Sequence, residues 1–260
     1  MKMDETCQIV VCSCDRYRDV WPAFFRLFWK YWPACPYPVN LVSNGCDWDD
    51  RRVAMRHVSA SISWTKALRE SIDSLDSDYV LLLLEDYLVN DTVDTDGIGR
   101  LIAFMRDKGI GCLYLYPANK YEASGINVAG YALGDVPPRA PFRVNTQAGL
   151  WRRDFILETL FRDESGWDYE VNATRHSEAQ PDGFLTVMRE NPRLPFPYYC
   201  TGVVRGKWTP GAVALCKKEG ITLDFGVRPV GWVRGLFRDV WVLQPIRHLF
   251  VWTKRLFGKN

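Results

Sequence analysis

The chain has 260 residues, 47% hydrophobic and 25% charged, with a formal net charge of +2. That suffices for a real core, in one large domain or a domain with an appendage. No apolar stretch reaches the roughly 20 residues of a membrane-spanning helix, and "MKMDETCQIVVC" is too acidic early and too briefly apolar for a secretory signal.

The eight cysteines (7, 12, 14, 35, 46, 112, 200 and 216) form no C-x-x-C pair and no zinc-like Cys/His spacing. Cys12 and Cys112 sit in apolar runs, where a thiol acts as a small hydrophobe. Reduced thiols and a cytosolic compartment are expected. The 11 Trp, 12 Tyr and 13 Phe mostly fill a core, although aromatic-rich chains also bind sugars, bases and membrane interfaces. Charge is uneven: Arg228, Arg234, Arg238, Arg247, Lys254, Arg255 and Lys259 meet only Asp239 after residue 227, so a mildly acidic body carries a basic tail.

In chain order, "QIVVCS" (8–13) reads as a buried strand leaving into the polar loop "SCDRYRD". Asp19 is a plausible N-cap for a helix in which Val20, Phe24, Leu27, Phe28 and Tyr31 recur at helical spacing, with Pro22 in the first turn. "PACPYP" stops it, "VNLVSN" (39–44) is a second strand, and "NGCDWDD" a loop. "SWTKALRESIDSL" (63–75) is an amphipathic helix. "YVLLLL" (79–84), apolar without alternation, reads as a strand covered on both faces. "TDGIGRLIAFMRDKG" is a helix closed by glycine and "CLYLYP" (112–117) a fourth strand. Residues 118–143 suit a β-hairpin or a mobile loop. "FRVNTQAGLWRRDFILETLF" passes from extended chain into a helix, "SGWDYEVNATRHSEA" turns helical near Trp167, and "PFPYYCTGVVRGKWTPGAVALCKKEG" gives an extended piece, a Gly-Lys turn and a helix.

The β-α-β-α-β-α-β order of the first half predicts a mainly parallel sheet flanked by helices. Ligands of such sheets bind at the carboxyl ends of the strands. Those ends hold Ser13 to Arg18, Asn44 to Asp50, and Glu85 to Tyr87. Adjacent carboxylates after a buried strand suit a divalent cation with oxygen ligands, itself held against a diphosphate; an ordinary turn or cap is the alternative.

Ser13-Cys14-Asp15, Asn44 and Leu84-Glu85-Asp86-Tyr87 on one sheet edge resemble nucleotide-sugar-dependent glycosyltransferases of the GT-A fold. "SCDRYRDVWPAFFRLFWKYWPACPYPVNLVSN" and "YVLLLLEDYLV" are similar to bacterial surface-polysaccharide transferases. The resemblance spans roughly residues 8–220 and implies a Rossmann-related α/β domain over 1–225; the composition of the remainder reads as a basic, aromatic helical tail over 226–260. It implies that Ser13, Cys14, Asp15, Arg18, Asn44, Trp64 and Gln147 contact the donor. Glu85 and Asp86 would hold Mg²⁺ or Mn²⁺ on the diphosphate, although Glu-Asp-Tyr departs from Asp-x-Asp and allows a metal-independent route. In "QAGLWRRDF" the Ala148-Gly149 pair admits close backbone approach, or a strand-to-helix turn over a buried Trp. Tyr87, Trp151 and Trp167 are assigned to the acceptor.

In "GWDYEVN" a carboxylate near a helix N-terminus is stabilised as an anion. The resemblance makes Glu170, with Asp168 second, the base of an inverting transfer, removing the acceptor hydroxyl proton; a plain capping acid is the alternative. Arg205 and Lys207 flank a glycine and would neutralise the leaving diphosphate, or stand as solvated surface charges. His57 and His176 read as surface histidines. Residues 231–260 alternate Arg/Lys with Trp, Phe and Leu, an interfacial membrane pattern that a helix on the domain or in an oligomer could share. No nucleic-acid motif is present.

The function expected is glycosyl transfer to a glycan or lipid-linked glycan in surface-polysaccharide synthesis, at the inner face of the cytoplasmic membrane. A nucleotidyl or phosphosugar transferase and a non-catalytic membrane-surface scaffold are the alternatives.

Overall fold

The computed structural model describes residues 6–117, 121–180 and 183–231. The tail expected over 231–260 thus lies, from residue 232 on, outside the described residues. Two compact units divide at Cys200 and Thr201.

In the first unit, β1 (Cys7–Cys12) leads through a 3-10 turn at Asp15–Tyr17 into α1 (Trp21–Tyr31). Val20, not Asp19, occupies the cap position of α1, and no side chain caps it. Pro22 falls in the first turn, where its missing N–H costs no intrahelical bond. β2 (Val39–Ser43) and β3 (Val53–His57) follow. The sequence reading contained no strand at 53–57. It is half-exposed and carries Arg56 and His57, so it lacks the apolar run that marks a buried strand. α2 (Trp64–Asp73) starts at Ser63, whose hydroxyl accepts from Lys66 N. β4 (Tyr79–Leu84) is buried from Tyr79 through Leu83, and the short β5 (Leu88–Val89) follows. α3 (Thr95–Lys108) is capped by the Asp94 side chain and closed by Gly109 at φ 67°.

After β6 (Cys112–Tyr114) the chain makes the hairpin β7 (Ala123–Val128) and β8 (Tyr131–Asp135). β9 (Gly149–Arg152) runs directly into α4 (Arg153–Thr159), followed by α5 (Gly166–Ser177), β10 (Phe184–Val187) and β11 (Tyr198–Tyr199), which pairs with β5. Among the described residues the main sheet has nine strands in the order β3-β2-β1-β4-β9-β6-β10-β8-β7. All but β8 and β9 run in one direction. This is the mainly parallel α/β sheet flanked by helices that the sequence implies.

Register fixes the edge that matters. Cys12 pairs with Leu84, so Ser13 and Glu85 leave the sheet side by side. β9 is antiparallel and enters at that same edge, with Gly149 opposite both Leu82 and Tyr114. Residues 146–148 therefore arrive where the parallel strands end.

The second unit holds the hairpin β12 (Val203–Val204) and β13 (Lys207–Trp208), then α6 (Pro210–Lys218), whose cap Thr209 accepts from Ala212 N. Trp208 is buried and bridges to Val230. Among the described residues no helix is long and apolar enough to cross a membrane.

Candidate active site

The loops after β1 and β2 are bound together by one carboxylate. Asp15 Oδ1 accepts from the amides of Asn44 (2.9 Å), Gly45 (3.1 Å) and Cys46 (3.1 Å). Burial works against its charge, but these donors outweigh burial and hold the Asp15 carboxyl below its ordinary value. Asn44 Oδ1 accepts from Asp15 N in return, at 3.4 Å. Ser13 Oγ accepts from Trp21 Nε1 (2.8 Å), and Arg18 Nη1 reaches Cys46 Sγ at 3.6 Å. Asp15 thus shapes the rim expected to receive a donor.

Glu85 and Asp86 are both buried, at 7% and 6% exposure, just beyond β4. Burial, reinforced by Glu85 and Cys14, pushes the Cys12 thiol up, and the Trp64 indole hydrogen-bonds that thiol. Cys12 pairs with Leu84, and Trp64 from α2 packs against the same apolar cluster, beside the point where the chain leaves β4 into Glu85. Trp64 also meets α5: its ring lies 5.5 Å from Tyr169, and a Cβ on Gly166 would stand 3.4 Å from it.

Thr146 joins the two halves of the site. Its carbonyl accepts from Tyr87 Oη at 2.8 Å, while its amide and hydroxyl donate to Glu170 Oε1 at 2.8 and 2.9 Å. A carboxylate accepting two such bonds is held in one orientation. Burial, with the Cys200 thiol and the Asp86 and Glu170 carboxylates adding to it, pushes the Tyr87 phenol well above its ordinary value, so it remains a neutral donor. Tyr198 braces the same strand entry: its ring lies 4.7 Å from Tyr87, and its hydroxyl donates to Gln147 Oε1 (2.7 Å) and accepts from Ala148 N (3.2 Å). Cys200 Sγ also reaches Gln147 Oε1, at 3.1 Å.

The two candidate bases occupy different settings. Asp168 is exposed and closes the first turn of α5 with Ser165, whose hydroxyl donates to Asp168 Oδ2 at 2.8 Å. Glu170 faces the sheet edge through Thr146. Trp167 is 71% exposed, three residues before Glu170 on the same helix.

Two acceptor expectations are corrected. Trp151 is fully buried among Tyr114, Phe155 and Phe184, out of reach of any ligand. Tyr87 is 2% exposed, with its hydroxyl spent on Thr146. Gly149 likewise serves the core: a Cβ there would lie 3.1 Å from both Trp151 Nε1 and Tyr114 Cδ1. The residue that sequence reasoning missed is Thr146. Its partner Glu170 is 24 residues away, and no local pattern joins them.

Among the described residues no group of three or more His, Cys, Asp and Glu could hold a metal ion. Glu85 and Asp86 are hard oxygen donors, and a hard cation held by them would need its other ligands from diphosphate and water.

His57 bridges Ser43 Oγ and Asp47 Oδ1, each at 3.0 Å. Ser43 is fully buried and its hydroxyl donates to Cys46 O, so this trio braces a loop and offers no nucleophile. In the second unit, Arg205 and Lys207 lie exposed on the β12–β13 turn.

No family model and no curated protein matches the chain. Among solved structures, S. aureus TarS 1–349 is 12% identical with a TM-score of 0.48, covering 76% of this chain and 60% of that one. The same protein in complex with UDP gives the same values. A cytidylyltransferase from Leptospira borgpetersenii serovar Hardjo-bovis is 9% identical with a TM-score of 0.46, covering 76% of this chain and 82% of that one. The chain thus spans three-fifths of the TarS 1–349 structure.

Proposed function

We propose that this chain is an inverting glycosyltransferase, moving a sugar from a nucleotide-sugar donor to a glycan or lipid-linked glycan acceptor of the bacterial surface. The observation that carries this reading is the Tyr87–Thr146–Glu170 connection, which ties a carboxylate on α5 to the segment bearing Glu85 and Asp86. Transfer from an activated sugar needs an anion-handling end for the leaving diphosphate and a base for the incoming hydroxyl, held in fixed relation.

In this reading the rim braced by Asp15 receives the nucleoside. Glu85 and Asp86 would hold Mg²⁺ or Mn²⁺, which when bound neutralises charge developing on the leaving diphosphate. Glu170 orients the acceptor hydroxyl and takes its proton as the oxygen attacks the anomeric carbon. Thr146, donating twice to Oε1, fixes the orientation of that carboxylate. Asp168 is left as a helix cap. Trp167 offers an exposed ring near the base for an acceptor sugar. Residues 231–260 are assigned to a membrane surface.

The test is a thermal-shift screen of the full chain against UDP-, GDP-, CMP- and dTDP-sugars, with and without Mn²⁺. A ligand that binds only the folded state raises the midpoint. The expected result is a rise with one nucleotide class that vanishes in Asp86→Ala. No rise with any donor counts against catalysis and favours a scaffold.

A further inference from the structure

We propose that residues 201–231 present a docking face for an anionic membrane, in which Phe225, Val227 and Val230 enter the headgroup layer and Arg205 and Lys207 pair with lipid phosphates. This goes beyond the transferase reading and does not depend on it. It also takes the two cations away from the sugar diphosphate.

Exposed apolar side chains on soluble domains are usually scattered, and a cluster marks an interaction site. Here Phe225, Val227 and Val230, within six residues, are 49%, 64% and 37% exposed. The segment is built, not frayed. Asp224 Oδ1 accepts from the amides of Gly226 (2.8 Å) and Val227 (3.2 Å), and Asp224 O accepts from Arg228 N (3.0 Å). Trp208 N donates to Pro229 O and Gly231 N to Trp208 O, each at 2.9 Å, which fastens residues 229–231 along β13. Asp224, the acid nearest these residues in sequence, is thereby engaged in the turn.

The cations lie beside this segment. A Cβ on Gly231 would stand 3.3 Å from Lys207 Cβ, and one on Gly206 3.9 Å from Arg228 Nη1. Arg205 and Gly206 have φ of 50° and 73°, the two left-handed positions of a tight hairpin turn. Arginine is uncommon there, so the turn holds an exposed cation where Asn or Gly would fit with less strain. Lys207 follows it, also exposed. Cations next to exposed Phe and Val match a surface bound through apolar insertion plus attraction to anionic lipid.

Chain continuity supports lipid as the occupant. Directly beyond Gly231 come Trp232, Leu236, Phe237 and Trp241, interleaved with Arg234 and Arg238, which continues the same composition.

The test is co-sedimentation of the full chain with vesicles of phosphatidylcholine alone and of phosphatidylcholine mixed with phosphatidylglycerol. The wild type should bind the mixed vesicles and release in high salt. Removing both charges in Arg205→Gln/Lys207→Gln should weaken binding about thirtyfold. Phe225→Ser/Val227→Ser should weaken it at least about tenfold, with thermal melts reporting whether each variant folds. Should the apolar variant fail to fold, the charge variant carries the test. Three results would overturn the proposal: no wild-type binding to mixed vesicles; wild-type binding by the folded variants, which leaves membrane contact to the tail alone; or a charge variant that binds vesicles normally but loses the nucleotide-sugar thermal shift.

Discussion

The two halves of the main sheet obey different rules. From β3 to β4 every neighbouring pair is parallel, and the inner strands β2, β1 and β4 are almost wholly buried. From β9 to β7 antiparallel pairs predominate, and the fit depends on single small residues. A Cβ on Gly111 would meet the Phe155 ring at 2.5 Å, and one on Gly134 would meet Met188 Sδ at 2.5 Å. Burial marks most of the first half, with Asn40 bonding across β1 and β3 as its specific polar contact, whereas the second needs several individually fitted contacts. The proposed site takes its acid pair from the first and its base, with Thr146, from the second.

Breaking the second half's contribution should cost most. Glu170→Gln should lower kcat by about 10²–10⁴-fold, as expected for losing a general base, yet keep the donor-induced thermal shift. Asp168→Asn should leave turnover nearly intact; equal losses in the two variants would erase the distinction between base and cap. Next, Gly111→Ala should destabilise by about 1–3 kcal/mol through overpacking against buried Phe155. Leu82→Met in β4 should cost under about 1.5 kcal/mol, because a volume-conserving swap suits a strand set by burial. Equal losses in denaturant melts would contradict the contrast between the halves.

Thr146→Val removes the hydroxyl donor but keeps the amide. It should reduce turnover about tenfold, the effect of one lost hydrogen bond of about 1.4 kcal/mol. Its donor affinity should not change, which a split of kcat from KM would read.

The smallest effect belongs to the first half. Asp15→Asn should cost about 1 kcal/mol at neutral pH, after allowance for solvent screening at this half-exposed rim. The sign follows from linkage. The folded pKa lies below the unfolded value near 3.9, so the wild type's advantage is present above about pH 4 and fades as pH falls through the folded value. Melts of both proteins across the acid range should converge. A constant gap would show that the carboxylate charge is not what binds the loops.

Much of the first half is legible from sequence because burial writes itself into composition. "YVLLLL" reads as a covered strand, and Ser63 and Gly109 mark helix ends through their own chemistry. β3 escapes because a half-exposed edge strand needs no apolar pattern. The site is legible only in outline. Glu85, Asp86 and Glu170 stand out as acids at element ends, but the link through Thr146 is tertiary. Trp151 misleads for the opposite reason: a tryptophan after Ala-Gly looks like a ligand platform, whereas Gly149 makes room for the indole inside the core.

The central claim is glycosyl transfer with Glu170 as base, and analysis of the released nucleotide tests it most directly. The full chain would be incubated with the nucleotide sugar that raises its melting midpoint, with Mn²⁺ and glycan acceptors, and followed by ³¹P NMR. The account predicts release of a nucleoside diphosphate or monophosphate by the wild type and almost none by Glu170→Gln. Pyrophosphate as the product would mark a nucleotidyltransferase, and undiminished turnover in Glu170→Gln would remove the base from the mechanism; either result contradicts the account.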